Sequence, residues 1–180
     1  MTIGRRVGLL AFAGFLALVP LANWMIQHVG TSCVPQGPCL VPVAPGLMAP
    51  SGVLTVGVAL VLRDVVQRCL GLAFGLLAIL VGTGVSMLVA PASLVIASGT
   101  AFLISEFADF AVYTPLQQRR LMLAVLASSC LGLVVDSVVF LWLAFDSLEF
   151  LPGQVVGKLW AVLLSVPFIR LLRRVAPSPA

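Results

Sequence analysis

Six acidic and ten basic side chains occur in 180 residues, and several interrupt long apolar runs. Glu106 and Asp109 are three apart, so on a helix they share one face, which Phe102 and Tyr113 extend by four residues on either side. Ser129, Gly132, Asp136 and Phe140 repeat the pattern further along, Gln154, Lys158, Ala161 and Ser165 follow it again, and Arg63, Asp64 and Arg68 close an earlier run. An ionisable group at membrane depth costs about 2.5–3.5 kcal/mol on insertion scales, so it faces a partner or a cavity. Lys158 with Asp136, and Arg63 or Arg68 with Glu106 or Asp109, are the pairs this spacing allows. They could serve helix packing alone, or line a polar cavity. In a cavity, carboxylates accept the paired N–H donors of a guanine-like edge while Phe or Tyr rings stack on its face. A carboxylate could equally hold a cationic amine or a proton. No nucleophile–base–acid constellation, phosphate loop or cofactor fingerprint is present, which argues against an enzyme and against a cofactor. Four cysteines and the single His28 lack a metal-ligand spacing, so no metal is expected, and His28 reads as an interfacial residue.

The elements that must carry these residues follow from composition. Hydrophobic residues make up 61% and charged residues 9%, with mean hydropathy +1.19; soluble domains carry roughly 25% charged residues. A water-soluble fold is thereby excluded, and the lipid bilayer becomes the expected solvent. Net charge +4 arises from scattered residues, with no basic stripe interleaved with aromatics, so nucleic-acid binding is not expected. The apolar runs are continuous, not alternating, which argues against a β-barrel. The reading is all-α, a polytopic membrane protein with one transmembrane domain over residues 1–180. Its helices are expected near 7–27, 51–69, 71–90, 92–114, 121–145 and 154–172, with Pro91 stopping the third and Thr114-Pro115 ending the fourth. The first is read as a retained helix in preference to a cleaved signal peptide. With the N-terminus inside, nine of the ten basic residues fall at cytoplasmic ends, and Lys158 lies within a helix. That places both termini inside. The proline-rich stretch from His28 to Pro50 reads as an outer loop, in which Cys33 and Cys39 could close a disulfide in an oxidising exterior or remain free thiols. Cys69 and Cys130 read as small packing residues, and Gly71/Gly75 and Gly153/Gly157 as small-residue helix contacts.

Four segments in order resemble the queuosine precursor transporters of the vitamin uptake family. They are RDVVQRCLG from Arg63 to Gly71, IASGTAFLISEFADFAVYTPLQ from Ile96 to Gln117, LASSCLGLVVDSVVFLWLAF from Leu126 to Phe145, and GQVVGKLWAVLLSVPFIRLL from Gly153 to Leu172. In the third, Ser129, Gly132, Asp136, Ser137 and Phe140 stand in register; in the last, Lys158 and Pro167 do. The chain departs from the family pattern at Arg68, where a second acid is common, and at Leu70, where an aromatic is common. The resemblance implies a six-helix importer of 7-deazaguanine precursors in a bacterial cytoplasmic (inner) membrane. Its fold would be similar to the substrate-binding subunits of energy-coupling-factor transporters. Asp109 and Asp136 would be the principal ligands, Glu106, Lys158, Ser129, Tyr113 and Phe102 would complete the binding site, and Arg63, Asp64 and Arg68 would gate it or form ion pairs. A subunit served by a separate ATPase partner, a homo-oligomer and a purely structural membrane protein stay open at this point.

Overall fold

In a bilayer every backbone polar group must be satisfied within its own segment, so long apolar runs close into helices. The computed structural model describes residues 3–35, 37–90 and 94–175 and contains, among them, six α-helices and one small sheet. These are α1 (Ile3–His28), β1 (Ser32–Cys33), β2 (Cys39–Ala44), β3 (Leu47–Pro50), α2 (Val53–Leu70), α3 (Leu72–Val89), α4 (Val95–Leu116), α5 (Leu121–Phe145) and α6 (Leu151–Val175). The expected stop at Pro91 and the expected start at Ala92 lie outside the described residues.

Three local expectations are corrected. Helix α4 runs through Pro115 to Leu116; a proline so near the end removes one backbone bond from a turn that is about to finish. Gly71 belongs to neither flanking helix: its φ of 94° is left-handed, and it alone joins α2 to α3. An L-residue there would be strained, so glycine lets two helices follow each other with a one-residue break. The outer loop is a three-stranded antiparallel sheet in the order β1-β2-β3, with Cys33 paired to Cys39 in register and joined to it by a disulfide. The sheet sits on the ends of α1 and α6. Ser51 Oγ donates to the Met25 carbonyl at 2.6 Å, and Trp160 Nε1 donates to the Val43 carbonyl at 3.2 Å.

Helix α2 is the hub, touching every other helix. Its charged residues explain that position, because Arg63, Asp64, Gln67 and Arg68 are all buried and could not face lipid. Gly57 allows a close approach of α6. A Cβ there would stand 2.7 Å from Ala161 Cβ and 2.8 Å from the Lys158 carbonyl oxygen, so α6 lies against bare α2 backbone. The remaining helices turn apolar side chains outward, including Leu10, Leu88, Ile96 and Leu164, each more than 70% exposed. Four helices, α1, α3, α4 and α5, are long and apolar enough to cross a membrane by length and composition. Helix α2 falls outside that set by carrying Arg63, Asp64 and Arg68, and α6 contributes a shorter apolar stretch, Leu151–Pro167.

Candidate functional site

A cavity of about 90 Å³ lies between the helices in the half of the bundle that bears the sheet, reaching Pro50, Gly52 and Val53 at its upper edge. Side chains of α1 and α2 such as Val19, Ala22, Val56 and Leu60 make one wall apolar. The opposite wall is polar: Ser98, Ser105 and Glu106 come from α4, Asp136 from α5, and Gln154 and Lys158 from α6, with Phe102 and Phe140 supplying aromatic faces. Phe102 is steadied from behind by Phe15, with ring centroids 5.8 Å apart.

Lys158 is seven residues into α6, about 11 Å along its axis. At that depth its ammonium group has three donors to satisfy. All three are used, toward Asp136 Oδ2 at 2.5 Å, Gln154 Oε1 at 2.7 Å and Ser137 Oγ at 2.8 Å. Gln154 is one helical turn before Lys158, which is why the two reach each other. The second Asp136 oxygen accepts from Ser105 Oγ at 3.4 Å. Asp136 is 9% exposed where Glu106, Asp64 and Asp109 are at most 1%, so it is the most accessible of the interior acids.

Below the cavity floor stands a second polar group built on Arg63. Its Nε donates to Glu106 Oε2 at 2.9 Å, its Nη1 lies 3.0 Å from Asp64 Oδ1 and donates to Gln67 Oε1 at 3.2 Å, and its Nη2 donates to Asp109 Oδ1. The guanidinium carbon is 5.7 Å from the ring centres of both Phe110 and Tyr113, within cation–π range. Ser128 Oγ donates to Asp64 Oδ2 at 3.3 Å. Glu106 belongs to both groups, since it lines the cavity and bonds Arg63.

The structure brings Glu106, Asp136, Lys158 and Phe102 to one cavity. Asp109, Tyr113 and Ser129 do not line it. Asp109 is three residues beyond Glu106, about 4.5 Å deeper along α4, and Arg63 holds it there. Tyr113 is one turn deeper still. Ser129 is fully buried, and its hydroxyl has no hydrogen-bond partner among the described residues. Arg68 forms no ion pair among the described residues; its Nη1 donates to the Gln117 carbonyl at 3.0 Å, tying α2 to the turn before α5. With Asp64 and Tyr113 it borders a second, smaller hollow. Cys130 is exposed on the outside of α5, not packed. Residues not singled out by spacing also line the cavity: Asn23, Ser86, Ser98 and Ser105. Ser98 and Ser105 fall four before and three after Phe102 on one α4 face, a signal present in the sequence, and Asn23 is a lone amide in an apolar helix.

Residues 86–172 match the model of a family described as "Putative vitamin uptake transporter". No curated protein and no solved structure matches the chain. The matched stretch is just under half of the 180 residues. It holds Glu106, Asp109, Asp136 and Lys158, and leaves out the sheet and the whole of α2 with Arg63. The family matched is one of non-enzymatic membrane transporters, and it is to these that the C-terminal half of this chain is similar.

Proposed function

We propose that this chain imports a small planar heterocycle across a bacterial cytoplasmic membrane, and that the substrate is a 7-deazaguanine precursor of queuosine. All six helices would span, with both termini inside. Charged α2 and α6 can do so because their polar residues are buried against other helices, not against lipid. The 18 residues of α2 measure about 27 Å, close to the hydrocarbon thickness. Under that orientation the sheet and the upper edge of the cavity face outward.

One observation carries the reading: two carboxylates, Glu106 and Asp136, share one cavity with two phenyl rings. A 7-deazaguanine edge offers adjacent N–H donors to a carboxylate, and its flat bicycle would stack on Phe102 or Phe140. Gln154 would supply an amide to a ring carbonyl, while Lys158 holds the Asp136 carboxylate in position. The family match supports a transported small molecule, and the sequence resemblance supports this particular class.

The test is complementation in a host that can neither make nor import these bases. Supplied with 7-cyano- or 7-aminomethyl-7-deazaguanine, it should place queuosine in its tRNA only when this chain is expressed, and Glu106→Gln or Asp136→Asn should abolish the effect. No queuosine from a chain shown to be folded in the membrane would remove the substrate assignment.

A further inference from the structure

The Arg63 group presents a charge imbalance. Three carboxylates, Asp64, Glu106 and Asp109, surround one guanidinium, and all four residues are at most 1% exposed. With every acid ionised the group carries two excess negative charges; counting Arg68, which is 9% exposed, still leaves one. Among the described side chains no other buried cation offsets it: α6 offers Lys158, already opposed by Asp136 of α5, and Arg170, which is exposed. The buried residues of α1 and α3 include no charged group, and Tyr113 of α4 is neutral. An uncompensated charge sealed in a protein interior is discharged by taking up a proton.

The hydrogen bonds locate that proton. Glu106 and Asp109 each accept directly from the guanidinium, whereas the Nη1 group near Asp64 directs its bond to Gln67. Two carboxylate oxygens are left without a donor among the described residues, Asp64 Oδ1 and Asp109 Oδ2, and both side chains lie against the terminal nitrogens of the same guanidinium. Two carboxyl groups can bond to each other only when one carries a hydrogen. The buried Tyr113 hydroxyl also lacks a partner, and the smaller hollow runs beside Asp64 and Tyr113 to Arg68 near the opposite end of α2 from the sheet.

We propose that the Arg63 group is a proton-binding site, in which Asp64 and Asp109 share one proton and Glu106 links its occupancy to the cavity. The proton site stands on charge and geometry; only its link to the cavity rests on the transport reading above. A ligand whose N–H donors engage Glu106 stabilises negative charge in the group, so the shared proton becomes dispensable and leaves through the smaller hollow to water. No other bond forms or breaks.

Infrared difference spectroscopy of the full chain in lipid nanodiscs reads this directly. The unliganded protein at neutral pH should show the carbonyl stretch of a buried carboxylic acid, shifted by deuterium exchange. Asp64→Asn should remove it by deleting the carrier. Glu106→Gln should also remove it, because two acids against Arg63 and Arg68 need no proton; this variant carries the test where Asp64→Asn does not fold. Absence of the band in the wild type, or its persistence in a folded Glu106→Gln variant, overturns the site. Adding 7-cyano-7-deazaguanine should diminish the band; binding that leaves it unchanged overturns the link to the cavity. If that base does not bind, the unliganded band still decides the proton site, separately from the substrate assignment.

Discussion

Lys158 and Asp136 illustrate how a buried pair can be worth little as a pair and much when broken. Removing one partner of such a pair leaves an uncompensated charge and costs about 3–5 kcal/mol, whereas replacing both by apolar or neutral groups is often neutral. Lys158→Ala should therefore lower thermal stability in detergent sharply. Adding Asp136→Asn to Lys158→Met should return the melting temperature toward that of the wild type without restoring uptake. Recovery of uptake in that double variant would show that the pair only packs helices. The pairing was legible in the sequence, since intramembrane charges require partners and the candidates were few. Depth was not. Helical spacing gives the face a residue occupies but not its height, so on sequence Asp109 ranks above Glu106 as a ligand, although Glu106 lines the cavity and Asp109 lies beneath its floor.

At the scale of elements, the six helices were visible as apolar runs, and their ends shifted by a few residues where proline and glycine act. The sheet was hidden for a physical reason. Prolines at 42, 45 and 50 argue against strands, which need backbone donors. In the fold Pro42 sits where the β2–β3 register slips, and Pro50 ends β3, so neither interrupts a regular ladder. The approach of α6 to α2 was legible on the α6 side, where Gly157 was expected at a helix contact and a Cβ there would stand 2.6 Å from Val53, but not on the α2 side, where Gly57 is one small residue in an apolar helix. Gly57→Val would wedge a side chain into the Ala161 and Lys158 backbone contact. It should cost about 1–3 kcal/mol, the usual range for overpacking, and pull Lys158 away from Asp136. Gly84→Ala is the control, since a Cβ there meets nothing within 4 Å. Thermal melts of both variants check the pair of expectations; equal melting temperatures would mean that the α2–α6 approach does not hold the site together.

For the whole molecule, two asymmetries combine. The basic residues at the helix ends gather at the end away from the sheet, and the sheet carries the disulfide. Trp24, Trp142 and Trp160 are all about half exposed and lie in the sheet-bearing halves of α1, α5 and α6, as interfacial anchors do. Positive residues stay on the cytoplasmic side, and a disulfide persists in an oxidising compartment, so both rules support the proposed orientation with the sheet outside. The prediction uses the cysteines themselves. In a variant carrying Cys69→Ala and Cys130→Ala, mild reduction of intact cells should free Cys33 and Cys39. Cys33 is exposed and Cys39 is 3% exposed, so a membrane-impermeant maleimide should attach once per chain, at Cys33. Unreduced cells should not label, because the bond holds both sulfurs. Labelling that requires permeabilised cells would invert the molecule. The cavity edge at Pro50 and Gly52 would then face the cytoplasm, and a carrier loading from that side would export its substrate.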